Sequence, residues 1–258
     1  MQRRQAFRTV LLLAALSACV GQGSRPTSGA APTEQAGEHQ NLQVLPKDIP
    51  HDELIAVMRN FTSSLGVRCT HCHVPYEGGP PDSLNFASDA KPTKDVARGM
   101  MRMVREINGD LLPDVPNLGE NPMQVGCMTC HRGAPRPVTL EDSLGTVARR
   151  MGVDSAVAAY GALRRQYYGR GTYDFGERSL STLASRLTAE GRAADARRIL
   201  ELNAEQFPSS AGAAFELGRA YEAAGDRARA IAQYRRALTI QPNNRQAQER
   251  LRVLGEQP

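Results

Sequence analysis

At 258 residues, with 41% apolar and 23% charged side chains, the chain is long enough for one or two packed domains, and it is neither disordered throughout nor a multi-span membrane protein. Its formal charge of +5 overstates its basicity: removing Arg3, Arg4 and Arg8, which fall in an expected leader, leaves 29 basic residues against 27 acidic ones, or +2. That balance, with no concentrated basic stripe, gives no support to nucleic-acid binding.

The amino terminus has a basic start (Arg3, Arg4, Arg8) and an apolar run over residues 10–16 that is too short to span a bilayer as a helix. The run ends in Leu16-Ser17-Ala18-Cys19, which resembles the lipobox of bacterial lipoproteins. That resemblance implies cleavage after residue 18, lipid attachment at Cys19, and an exported chain that is lipid-anchored, facing the periplasm or on the outer membrane. Residues 19–43 are then expected to be a flexible tether. They are rich in Gly, Ser, Thr, Pro, Ala and Gln and nearly free of large apolar groups. A stretch of ~20 such residues reaches roughly 25 Å.

The next element is a predicted helix over residues 51–65, with Asp52 as its N-cap and Gly66 as its stop. Leu54, Met58, Phe61 and Leu65 recur at steps of four, three and four, so Met58 belongs to one apolar stripe. A second helix is predicted over residues 93–108, stopped by Gly109, with Val96, Met100, Met103, Val104 and Ile107 on one face.

Each helix precedes a cysteine motif. Apart from Cys19, the cysteines fall as Cys69-Thr70-His71-Cys72-His73 and Cys127-Met128-Thr129-Cys130-His131. Both are C-x-x-C-H, the attachment signature of c-type haem. Two cysteines three apart on one turn each form a thioether to a haem vinyl group, and the following histidine lies beneath the ring to bind iron. A four-cysteine zinc site leaves both histidines unexplained and uses a shorter spacing between pairs. Disulfides within C-x-x-C brace little, and a thioredoxin-like motif needs a strand–helix setting that is absent. Two covalent haems are therefore expected, on Cys69 and Cys72 and on Cys127 and Cys130, with His73 and His131 as iron ligands. By helical phase Met58 is eligible as a sixth ligand to the first iron, and Met100 and Met103 are eligible for the second. Met123 is a weaker candidate.

After residue 137 the composition turns to Ala, Arg, Leu and Glu with a 34-residue period. Residues 211–244 resemble a tetratricopeptide unit through Leu217, Gly218, Tyr221, Ala230, Tyr234, Ala237 and Pro242. Residues 177–210 fit less tightly, residues 245–254 read as a capping helix, and residues 154–168 read as the second half of a degenerate unit. A solenoid of this kind offers a groove for a partner, though fold alone does not name it.

Residues 45–137 resemble one dihaem half of the tetrahaem cytochrome subunit of bacterial photosynthetic reaction centres. The resemblance is carried by MRNFTSSLGVRCTHCH (58–73), ARGMMRMVREIN (97–108) and GCMTCHRG (126–133). It implies haems lying along helices that lead to each motif, with Met58 ligating the first iron, Met100 the second, and Met103 packing. One iron of that family takes a distant histidine, and His51 is the available donor here. Only one haem pair is present instead of two, and the resemblance covers about a third of the chain.

The expected fold is thus mainly α: a small dihaem helical cytochrome c domain followed by a short α-solenoid of tetratricopeptide-like helix pairs. The expected divisions are a leader at 1–18, a tether at 19–43, a dihaem domain at 44–137, a helical connector or degenerate repeat at 138–176, and repeats with a cap at 177–258. The expected function is outer-sphere electron transfer between redox protein partners, within a larger respiratory or photosynthetic complex. The alternative is a haem enzyme, a peroxidase or small-molecule reductase, with one open iron.

Overall fold

In the computed structural model, residues 39–80, 82–119 and 123–257 are described. The expected leader, Cys19 and the tether up to residue 38 lie outside them. The described chain is helical: ten α-helices and one antiparallel pair of two-residue strands.

The first helix, α1, runs His51–Leu65. Pro50, not Asp52, occupies the N-cap position, with φ −56° and no side-chain cap. Asp52 and Glu53 sit inside the first turn, where their charge favours the positive end of the helix. Gly66 ends α1 in the left-handed region at φ 64°, as expected of a glycine stop. A short hairpin follows, Val74–Pro75 (β1) against Leu84–Asn85 (β2), with Val74 opposite Asn85.

The second helix, α2, runs Thr93–Glu106, and it differs from expectation at its end. Gly109 does not stop it; a wide turn over Ile107–Leu111 continues the winding through that glycine. The reason is tertiary. The Asn108 side chain donates to the Val125 carbonyl and accepts from the Val125 N–H, each at 2.8 Å. That pairing imitates a strand ladder and draws the returning loop onto the helix end. Next comes α3, the single turn Cys127–His131.

From residue 139 the chain builds a stack of helix pairs: α4 (Leu140–Met151) with α5 (Val153–Tyr167), α6 (Glu177–Ala189) with α7 (Ala193–Gln206), and α8 (Ala211–Ala223) with α9 (Arg227–Ile240). The cap α10 is Arg245–Val253. The expected half-unit is in fact a whole pair. Its first helix, α4, is capped by the Thr139 side chain accepting from the Asp142 N–H, a signal present in the sequence but read there as connector.

Small residues at fixed positions let paired helices touch. A Cβ on Gly218 of α8 would lie 2.6 Å from the ring of the fully buried Tyr234 of α9. Gly218→Ala is therefore expected to destabilise the repeat region by about 1–3 kcal/mol, measured by urea unfolding. Glu222 joins three helices: it accepts from the Tyr234 hydroxyl at 2.6 Å and from the Arg250 guanidinium of α10. Those partners, Arg250 above all, hold its carboxyl below the ordinary value. Asn203, also fully buried, donates to Ser181, whose hydroxyl donates to Glu216, so α7, α6 and α8 share one polar chain.

Burial is strongly uneven along the molecule. The continuous apolar core runs from Leu140 to Leu251. Among the described residues before 138, the buried apolar side chains are Ile49 and Ala134 alone. No helix among the described residues is long and apolar enough to cross a membrane.

Candidate functional site

The first cysteine motif closes on itself as one tight turn. Cys69–His71 forms a single 3₁₀ turn, and the N–H groups of Cys72 and His73 both donate to the Cys69 carbonyl, at 3.1 and 3.0 Å. The start of α2 grips this turn from outside. Thr93 Oγ1 donates to the His71 carbonyl at 2.8 Å, and the Lys91 ammonium donates to the Thr70 carbonyl. His73 meets Phe86 of the hairpin region edge-to-face at 4.9 Å. Its Nδ1 is buried without a hydrogen-bond partner. Burial, then the charges of Lys94 and Lys91, push its pKa down, favouring the neutral imidazole that binds metal.

The second motif is the helical turn α3. Its entry is fixed by the Gly126 N–H donating to Thr129 Oγ1 at 3.0 Å. Its exit takes two successive left-handed residues, Arg132 at φ 47° and Gly133 at φ 84°. This reversal lets the His131 Nδ1–H donate to the Ala134 carbonyl at 2.9 Å. A hydrogen bond there fixes the tautomer and leaves Nε2 free with its lone pair, the arrangement seen for metal-binding histidines.

The two turns are held to one another through α1, whose C-terminal end packs on α3. The Gly133 N–H donates to the Ser64 carbonyl at 2.9 Å, and Ser64 is wholly buried. The approach is so close that a Cβ on Gly66 would stand 2.2 Å from the Gly133 carbonyl oxygen.

Around these turns the helices present apolar side chains that the polypeptide leaves open. On α1, Leu54, Met58, Phe61 and Leu65 are half-buried. On α2 the expected apolar face is turned outward: Val96, Met100 and Met103 are exposed, at 59%, 42% and 44%. The residue buried on α2 is instead Arg98, which binds Asp95 at 2.6 Å and Asp89 at 2.8 Å. Lys94 pairs with Asp89 at 2.9 Å and also donates to the Ser88 carbonyl. Arg98, then Asn41 and Lys94, hold the Asp89 carboxyl far below the usual carboxylate range. This polar cluster, which turns one side of α2 toward residues 41–44 and 86–89, was not legible in the sequence.

Two pairs of free thiols, each followed by a histidine, together with apolar side chains left half-buried on α1 and exposed on α2, fit a large flat apolar group carrying a metal at its centre. Cys69, Cys72, Cys127 and Cys130 are free thiols, and Cys69 and Cys130 are exposed. The two pairs are not brought together: among the described residues, no three His, Cys, Asp or Glu side chains converge. The expected iron ligands Met58 and Met100 lie on the faces described. His51 lies at the far end of α1, where it stacks on His39 at 5.7 Å. Met123, in the loop before α3, is 86% exposed. Four positions that shape the site were not found from the sequence: Lys91, Thr93, Asn108 and Thr172. Each acts through a backbone carbonyl or N–H distant in sequence, which leaves no periodic trace.

The comparisons with known proteins fall on the same two halves. Residues 17–148, just over half of the chain, match the family model of the photosynthetic reaction centre cytochrome C subunit. Residues 211–244 match that of the tetratricopeptide repeat. Cytochrome c-554 of Chloroflexus aurantiacus is 36% identical over 109 residues, covering 42% of this chain and 24% of that protein. The photosynthetic reaction center cytochrome c subunit of Thermochromatium tepidum is 35% identical over 116 residues, covering 44% of this chain and 25% of that one. The chain thus matches about a quarter of the length of these curated relatives. A solved structure, the first TPR domain of the human RPAP3 protein, is 21% identical, covering 45% of this chain and 87% of that one, with a TM-score of 0.31. By the extent of the family match, this chain belongs to the photosynthetic reaction centre cytochrome c subunit family, and it joins to that segment a region of tetratricopeptide repeats.

Proposed function

We propose that the protein is a membrane-tethered dihaem c-type cytochrome that performs outer-sphere electron transfer, with its repeat region docking a redox protein partner. The observation that carries this reading is the pair of C-x-x-C-H turns, each ending in a histidine, in a segment whose helices α1 and α2 leave apolar side chains half-buried or exposed. Haem c, bound at both turns, supplies reversible one-electron iron chemistry. Every other part of the work belongs to the chain. Cys69 and Cys72, and Cys127 and Cys130, provide the covalent attachment, and His73 and His131 the proximal nitrogens. Met58 on α1 and Met100 on α2 would be the remaining ligands to the two irons, which would leave no position for substrate.

The apolar side chains of α1 and α2 would lie against the bound haems, and methionine with histidine as iron ligands would raise the reduction potential. The packing of α1 on α3 joins the segment that leads into the first attachment turn to the second one. Cys19, once lipid-modified, anchors the chain to the membrane of an exported compartment, facing the periplasm or on the outer membrane. The donor and acceptor are redox proteins of a respiratory or photosynthetic assembly.

The test is mass and visible spectroscopy on the matured protein purified from its exported compartment. The expected mass is polypeptide plus lipid plus two haems, with low-spin spectra in both oxidation states and no carbon monoxide binding on reduction. A colourless protein with the mass of bare lipidated polypeptide sinks the proposal. A high-spin component that binds carbon monoxide in the wild type replaces it with the haem-enzyme reading.

Axial ligation has its own expected result. Met58→Ala should convert one haem, and Met100→Ala the other, to a high-spin, carbon-monoxide-binding form of lower potential. Carbon monoxide titration of each variant checks this. A response to Met103→Ala in place of Met100→Ala would move the second ligand by one turn of α2.

A further inference from the structure

Residues 132–134, which follow the second proximal histidine, are not held by the cytochrome half alone. In the loop between α5 and α6, Thr172 is 4% exposed, and its Oγ1 donates to the Arg132 carbonyl at 2.5 Å. Arg132 is a non-glycine residue at φ 47°, a conformation that persists only where its surroundings fix it. The restraints on this turn come from two sides. From α1, the Ser64 carbonyl accepts from the Gly133 N–H at 2.9 Å. From the repeat side, Thr172 binds the carbonyl of the preceding residue, forty positions away in sequence. The turn so clamped carries the Ala134 carbonyl that receives the His131 Nδ1–H.

We infer that Thr172 is a positioning residue for the second haem site, through which the repeat region takes part in setting the electron-donating strength of His131. The inference rests on the proposal that the second C-x-x-C-H carries haem. A ligand imidazole whose outer nitrogen donates to a carbonyl is a stronger base, and a stronger base stabilises the oxidised iron. Releasing the Arg132 carbonyl lets the left-handed turn relax and lengthens the His131–Ala134 hydrogen bond. His131 then donates less, and the reduced state gains. The repeat stack is on this account a wall of the second site and not an appended module.

The experiment is a redox titration of the matured, full-length protein with Thr172→Val and Thr172→Ser. Valine keeps the shape and removes the hydroxyl, whereas serine keeps the hydroxyl. The second haem's transition is identified as the one missing from a Cys127→Ser, Cys130→Ser variant. Thr172→Val is expected to raise that midpoint while the first haem's midpoint stays in place, and Thr172→Ser is expected to restore the wild-type value. Two haems present with both midpoints unmoved in Thr172→Val overturn the inference, as does an equal movement of both, which reports general loosening. Mass measurement of the wild type separates the underlying proposal: a second motif without haem refutes that proposal before any variant is compared.

Discussion

Serine in place of all four of Cys69, Cys72, Cys127 and Cys130 is expected to unfold the chain before residue 138 while α4 to α10 remain folded. Ordering the backbone costs conformational entropy that buried apolar side chains must offset. In the described part of that segment, Ile49 and Ala134 are the buried apolar residues, and the other buried groups are Ser64 and Arg98. Helices of 15 and 14 residues are marginal by themselves in water. On the proposed reading, covalent attachment of a large apolar group at each cysteine pair would supply what the side chains lack by covering the exposed Met100, Met103 and Phe86. The repeat half needs no such help, because its core runs unbroken from Leu140 to Leu251. Hydrogen exchange reads the outcome directly. Protection should vanish over α1 and α2 and persist over α6 to α9. Wild-type protection throughout α1 and α2 in the four-serine variant would refute this account.

The second large effect is expected at Gly66. Alanine there meets two penalties. Its backbone sits at φ 64°, a left-handed conformation costing a side-chain-bearing residue about 1–2 kcal/mol. Its Cβ would also stand 2.2 Å from the Gly133 carbonyl oxygen, a backbone atom that cannot rotate aside. The end of α1 must therefore part from the turn after α3, breaking the Gly133–Ser64 hydrogen bond and exposing Ser64. A combined loss of roughly 3–5 kcal/mol follows. Gly78→Ala provides the comparison, for it has φ 72° with nothing within 4 Å of the added carbon. Guanidinium unfolding of the haem-loaded protein should show Gly66→Ala losing at least twice what Gly78→Ala loses. Equal losses would mean that the contact between α1 and the second attachment turn carries no weight.

Much of the architecture was legible because it is written in local patterns. The span of α1 and its glycine stop follow from a 3.6-residue apolar stripe and one residue free to turn left-handed. The pairs α6–α7 and α8–α9 follow from a 34-residue period whose small residues, such as Gly218, sit where an opposing ring must pass. The ends of elements were read less well. Pro50, not Asp52, stands before α1, its carbonyl accepting the first helical bond from the Leu54 N–H at 3.0 Å. Gly109 failed to stop α2, because the distant Val125 bound Asn108 on both its amide atoms. The segment before the repeats proved to hold a full helix pair: Leu140, Leu144 and Ala148 of α4 form one buried stripe at helical spacing, and Thr139 caps its start.

The sequence alone determined the chemistry available: two C-x-x-C-H turns, each led by a helix with methionines on its apolar face, and a repeat region behind them. Those facts depend on spacing within a few residues, and short spacing survives in a linear code. Only the tertiary structure decided how the pieces meet. It turned the face of Met100 and Met103 outward by burying Arg98 against Asp89 and Asp95, and it set the end of α1 against Gly133. It also brought Thr172 onto the Arg132 carbonyl across forty residues. Contacts of that kind join a side chain to a backbone group far along the chain, and backbone groups are the same in every residue, so no letter of the sequence marks them.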